Sequence, residues 1–236
     1  MGISERRERE KIERRKAILH CAKELILSQG VERVSMEDIA QKAELSKATL
    51  YLYFSGKEVL LNEICEESAQ VFLNHFRPLL ETQLNGIETL KRFWRSYVEL
   101  FGSSDDMIII FKVRNYLNSW QPIVLRGEPG KSPYVEAILG ALKGIIDQCK
   151  AEGVFDPGLD STLASSLLLS MFTILVENAA CIPAGIPPSD ESRMQMQREA
   201  RKSPALIEEM TKAFQIIIRG FAREGIDRSC LDISAA

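Results

Sequence analysis

With 236 residues, 45% of them hydrophobic, the chain can bury the core of one large domain or two modest ones, which excludes overall disorder. The net charge of −3 gives no bulk sign of nucleic acid, although residues 1–60 carry 12 Lys+Arg against 10 Asp+Glu, and the first sixteen carry 7 against 4. The longest uncharged apolar run, 161–176, is shorter than the roughly 20 residues that span a bilayer, and the charged N-terminus has no secretory pattern, so a soluble, cytoplasmic chain without a membrane partner is expected.

Apolar residues recur at helical spacing along nearly the whole chain, and no Asn-Gly hairpin signal separates alternating strands, so an all-α fold is expected. The first helix is predicted from about Glu10 to Gln29, with Ile18, Cys21, Ala22, Leu25 and Ile26 on one stripe and Gly30 as its stop. Upstream, "ERREREKIERRK" has two readings: a solvated helix face, or an arm whose Arg6, Arg7, Arg9, Arg14 and Arg15 reach DNA. Ser35, followed three residues later by Asp38, predicts a capping box that opens a short helix from Met36 to about Ala43. Glu44 to Ser46 is the break. Ser46 caps a third helix over Lys47–Tyr53, and Ser55 with Glu58 forms the pattern that opens a fourth.

Two short helices joined by about three residues follow the helix-turn-helix plan, but a plain helical bundle has the same pattern. The polar side of the third helix separates the readings. If Leu50 and Phe54 point inward, Lys47, Thr49, Tyr51 and Tyr53 are left partly outward. Tyrosine hydroxyls bond phosphates, and their rings reach base edges. Lys47 stands at the helix N-terminus, where base contacts are made, and Lys57 in the first turn of the next helix is placed for a phosphate. Ser35 and Ser46 could donate to phosphates besides capping.

The stretch "SMEDIAQKAELSKATLYLYFSGKEVLL" resembles the DNA-binding motif of TetR-type bacterial repressors: a hydroxyl residue, "IA", alanine, a turn, serine, then a helix ending in aromatic–x–aromatic–Phe and a lysine. The resemblance covers residues 35–61 and extends back to about residue 14. It implies a homodimer on double-stranded DNA with a palindromic operator, two N-terminal heads and a C-terminal helical part that senses a small-molecule effector. Under it the head is residues 1–56 and the sensing and dimerising part 57–236, and Ser35, Lys47, Ala48, Thr49, Tyr51, Tyr53 and Lys57 fall where the family contacts DNA. Glu44 stands where the family commonly has glycine, so an altered turn or a strained left-handed residue is expected. Leu52 stands where an aromatic or polar residue is frequent; it either touches thymine methyls and sugar or packs.

From residue 57 on, helices are predicted over 57–76, 86–102, 105–119, 133–152, 159–181 and 204–224. The last two carry Leu167, Met171 and Ile174, and Met210, Phe214, Ile217 and Phe221. One chain's core could absorb them, whereas the resemblance implies that they pair with their copies in a dimer. Aromatic density on the middle helices is either core or an apolar effector cavity, with Trp94, Tyr97, Phe111, Arg114, Asn115, Asn118, Phe172 and Glu177 as candidate lining. The segment 182–203 exceeds a usual connector, and either lacks structure or holds a short helix near 191–201.

An enzyme is the rival class. There is no Walker loop, G-x-S-x-G, H-E-x-x-H or dinucleotide fingerprint, and no carboxylate pair stands out. Cys21, Cys65, Cys149, Cys181 and Cys230, with His20 and His75, lack metal-ligand spacing, so neither metal nor cofactor is expected. A helix-turn-helix used for protein contacts is the second rival, and regulation could be repression or activation.

Overall fold

The computed structural model describes residues 3–81, 84–117, 133–180 and 190–233, in which ten α-helices and a short 3-10 helix form an all-α fold without a named strand. Helix α1 (Ile3–Gln29) begins seven residues earlier than the periodicity predicts. Its first turns have no apolar face to bury, and are held instead by pairs one turn apart, Arg6–Glu10 at 2.8 Å and Lys16–Glu13 at 3.3 Å. Gly30, at φ 84°, ends it by donating its N–H to the Ile26 carbonyl (3.0 Å).

Helix α2 (Met36–Lys42) opens on the capping box: the Ser35 hydroxyl accepts from Asp38 N–H at 3.2 Å, and the Asp38 carboxylate accepts from Ser35 N–H at 2.8 Å. Hydrogen bonds from Ser35 hold the Asp38 carboxyl below the usual carboxylate range. The turn has the left-handed residue expected at Glu44, φ 55°, and Leu45 N–H closes it on the Ala40 carbonyl at 2.8 Å. Helix α3 (Lys47–Tyr53) follows, capped by the Ser46 hydroxyl, which accepts from Thr49 N–H at 3.0 Å. Helix α4 (Lys57–Leu80) departs from expectation at both ends. Its N-cap is Gly56 rather than Ser55, with no side-chain cap bond, and it continues through Pro78 to Leu80.

The remaining helices are α5 (Gly86–Ser103), α6 (Asp106–Leu117), α7 (Pro133–Ala151), α8 (Ser161–Ala180), α9 (Asp190–Arg201) and α10 (Pro204–Gly220). Helices α5 and α7 approach closely at Gly86, where a Cβ would stand 2.7 Å from the Cys149 backbone nitrogen and from its Sγ. Helix α9 supplies the short helix that the long insertion left open. Its Arg198 and Arg201 clasp Asp105 just before α6, with Arg198 Nε at 3.1 Å, and Arg201 also donates to the Ser104 carbonyl at 2.7 Å.

The core is continuous from Ile18 to Ile233, and its centre is aromatic. Trp94 stacks on Phe214 with ring centroids 4.5 Å apart, and Tyr97 on Phe172 at 4.3 Å. The indole N–H of Trp94 donates to the Thr211 hydroxyl at 3.2 Å, and the Tyr97 hydroxyl to the Phe172 carbonyl at 2.9 Å, so both polar tips are satisfied. Two expectations change accordingly. Trp94, Tyr97 and Phe172, expected to line a pocket, pack on one another as core. Met210, Phe214 and Phe221, expected at a dimer interface, face the chain's own core, as does Met171. Phe111 and Arg114 are half-buried on α6; Asn118 and the side chains of Asn115 and Glu177 lie outside the described residues.

Candidate nucleic-acid interface

Why does α3 stand where it does? Leu50 and Phe54, four residues apart, are fully buried and dock the helix on α2 and, where Arg15 lies over the Phe54 ring, on α1. The opposite face is thereby forced into solvent. Lys47, Ala48, Tyr51 and Leu52 are exposed, Leu52 at 83%, while Thr49 and Tyr53 are half-buried. Leu52 therefore does not pack in the core. An exposed leucine and a 44% exposed tyrosine on a seven-residue helix offer apolar surface and a hydroxyl to a partner.

Two shallow grooves flank α3. Ser35, Glu37, Lys47, Tyr51 and Lys57 share one with Arg33, an exposed cation that the motif did not single out because it lies in the loop before α2. Lys47 Nζ lies 3.3 Å from Glu37, but both side chains are more than half exposed, so this pair is weak and easily exchanged for a phosphate. Lys57 is more restrained. Its ammonium donates to the Val31 carbonyl at 2.7 Å and lies 4.6 Å from the Tyr116 ring centre, so it ties α4 to the loop after α1 and to α6. The Ser35 and Ser46 hydroxyls are engaged in their caps, and Ser46 Oγ lies 2.8 Å from Thr49 Oγ1.

The second groove lies between Tyr53 and the N-terminal part of α1. Arg15 fixes this junction: it forms two hydrogen bonds with Glu63, donates to the Tyr53 carbonyl at 2.7 Å and lies 4.2 Å from the Phe54 ring centre. The hydrogen bond to Glu63 raises the Arg15 guanidinium further above its ordinary range, so it is a permanent cation. Arg15, one of the arginines the sequence offered to DNA, is therefore a structural rivet.

Among the described residues no group of His, Cys, Asp and Glu could hold a metal ion, and no helix is long and apolar enough to cross a membrane. One polar atom stands out elsewhere: His75 Nε2, on α4, is buried without a hydrogen-bond partner. The sequence offers no signal for His75 beyond the absence of metal-ligand spacing.

Residues 18–64 match the family described as bacterial regulatory proteins, tetR family. Over 77 residues, 33% of the chain, it is 36% identical to the uncharacterized HTH-type transcriptional regulator YvdT of Bacillus subtilis, and spans about a third (36%) of that protein's length. Over 154 residues, 64% of the chain, it is 21% identical to the HTH-type transcriptional repressor KstR2 of Mycolicibacterium smegmatis, taking in 71% of it. The fold is similar to that of AibR, solved in complex with isovaleryl coenzyme A and operator DNA, with a TM-score of 0.55 at 22% identity over 78% of this chain and 96% of that one. YvdT and KstR2 are both named as HTH-type transcriptional regulators. The buried Leu50 and Phe54, the two caps and the outward face of α3 belong to the segment that matches the tetR family, folded as a helix-turn-helix.

Proposed function

We propose that the chain is a ligand-responsive repressor that acts in the cytoplasm as a homodimer on a palindromic operator. In this reading residues 1–56 are the head and 57–236 the sensing and dimerising part. The observation that carries it is the solvent face of α3: Lys47, Ala48, Tyr51 and Leu52 exposed together on a helix docked by Leu50 and Phe54. Such a face enters a major groove, with Lys47 at the end where base edges are met and Ser35, Ser46, Thr49, Tyr53 and Lys57 beside the backbone.

A palindrome requires two heads about 34–36 Å apart, hence a two-fold dimer. Support comes from α8 and α10, which pack side by side and leave Leu163 (51%), Leu167 (43%), Ile174 (54%) and Ile216 (71%) exposed. Leu167 and Ile174 thus stay on the proposed interface, with Ile217 at its edge, and Ile216 replaces Phe214 as its centre. The effector is a small, mainly apolar molecule. Phe111 and Arg114 remain proposed lining, and the unpartnered His75 Nε2 supplies a polar anchor. That AibR was solved with an acyl thioester is in keeping with this class.

The test selects duplexes from a random pool with the purified protein and measures affinity for the winner. Lys47→Ala and Tyr51→Ala should each weaken binding by about tenfold or more. Enrichment of no duplex, or the parent's affinity in both variants, overturns the reading.

A further inference from the structure

The family match begins at residue 18, yet α1 begins at Ile3. The intervening four turns bury almost nothing, so their purpose lies outside the chain's own core. Their charges are not scattered. Arg7, Lys11 and Arg14 recur at spacings of four and three, on one side of the helix, and the same row continues into Ile18, the first fully buried core residue. The cationic row therefore points to the side on which the head lies. There it forms, with Tyr53 at the end of α3, the second groove. Glu10 and Glu13 also border this groove, and each is paired within the helix, with Arg6 at 2.8 Å and Lys16 at 3.3 Å. No described residue forms an ion pair with Arg7, Lys11 or Arg14.

The row is held in place. Arg15, bonded to Glu63 and to the Tyr53 carbonyl, locks the base of the extension against α3 and α4. At 1.5 Å per residue Arg7 and Arg14 are about 10 Å apart, long enough to meet two or three phosphates of one strand. The geometry points to a second DNA contact: the helical extension of α1 is a phosphate clamp, laid along the duplex backbone beside the groove that α3 enters. It is a cationic helix rather than an extended arm, so it adds affinity and orientation without reading bases.

This inference rests on the DNA-binding reading, and one titration separates the two. The winning duplex from the random pool is titrated between 50 and 200 mM salt with the full chain, with the triple variant Arg7→Gln, Lys11→Gln, Arg14→Gln, and with the control Arg92→Gln, Arg95→Gln, two exposed cations of α5 that border neither groove. Glutamine keeps helix propensity, and circular dichroism verifies the fold. Each lost phosphate contact lowers the slope of log K against log salt by about 0.9, so the triple variant should lose about 2–3 slope units and the control less than about 1. Discrimination against a scrambled duplex should be unchanged. If the parent binds no duplex, the DNA-binding reading fails and the clamp with it. If the parent binds but the triple variant keeps its slope, or the control loses as much, the clamp is wrong and the reading of α3 stands.

Discussion

Ile216 and Phe214 are two residues apart on α10, and they should fail in opposite ways. Phe214 is 0% exposed and stacked on Trp94, so Phe214→Ala opens a cavity in the core and should cost about 3–5 kcal/mol of folding stability. Ile216 is 71% exposed in the single chain, so Ile216→Glu should move that chain's own stability by no more than about 0.5 kcal/mol. In a two-fold dimer built on α8 and α10 the arithmetic changes. Full burial of an isoleucine stabilises by about 1.5–3 kcal/mol, and roughly 71% of that surface is still available to a partner, which leaves about 1–2 kcal/mol per copy. Symmetry counts it twice, so the dimer should weaken by about 2–4 kcal/mol, or roughly 30- to 1,000-fold in its dissociation constant. Sedimentation equilibrium reads this term, and urea denaturation the folding term. Operator affinity should fall only in step with dissociation. A variant at Ile216 that keeps the parent's dimer constant would refute the placement of the interface.

Other positions test the fold itself. Glu44→Gly removes a left-handed strain of about 1–2 kcal/mol but adds unfolded-state freedom, so urea melts should show a net gain of up to about 1 kcal/mol. Gly86→Ala places a Cβ 2.7 Å from Cys149 backbone, which cannot step aside, and should lower stability by about 1–3 kcal/mol in the same assay. Asp105→Ala takes the carboxylate partner from Arg201, whose side chain is 3% exposed, and should cost about 3 kcal/mol at neutral pH. Burial alone would push the Asp105 carboxyl up, but the hydrogen bonds and charges of Arg198 and Arg201 outweigh it and hold it below its ordinary value of 3.8. A depressed folded value means full stabilisation above 3.8 that is lost as pH falls through that folded value, so the difference between parent and variant should shrink only in acid.

Short-range chemistry was readable along the chain. The hydroxyl caps at Ser35 and Ser46, the span of α3 and the strain at Glu44 follow from residues within one turn of each other, where the partner of every orphan N–H is local. The cap of α4 shows the limit of such patterns. Ser55 and Glu58 have the right types at the right spacing, but the chain enters the helix one residue later, at Gly56. The orientation of α8 and α10 was not readable, because Phe214 and Ile216 are equally apolar. Only the position of Trp94, 120 residues away in sequence from Phe214, decides which one faces inward. His75 was hidden for the same reason: nothing in the sequence states that its Nε2 lacks a partner.

Besides the continuous core and the Arg15–Glu63 pair, α6 makes a few weak polar bonds to α1 of the proposed head. From α6, Asp106 accepts from Lys23 of α1 at 3.3 Å, and Lys112 donates to the Leu27 carbonyl at 3.2 Å. Burial pushes the Lys112 ammonium down, which marks a charge held out of water for the sake of one carbonyl. Net contributions of about 1 kcal/mol each put these two contacts at about 2 kcal/mol together. That is the size of coupling, about 1–3 kcal/mol, by which one ligand commonly alters the affinity for another. Under the proposed function, an effector among the middle helices would act on the heads through these α6 contacts. It needs only to favour a position of α6 in which these contacts are broken, and its leverage is limited to the difference in its affinity for the two positions.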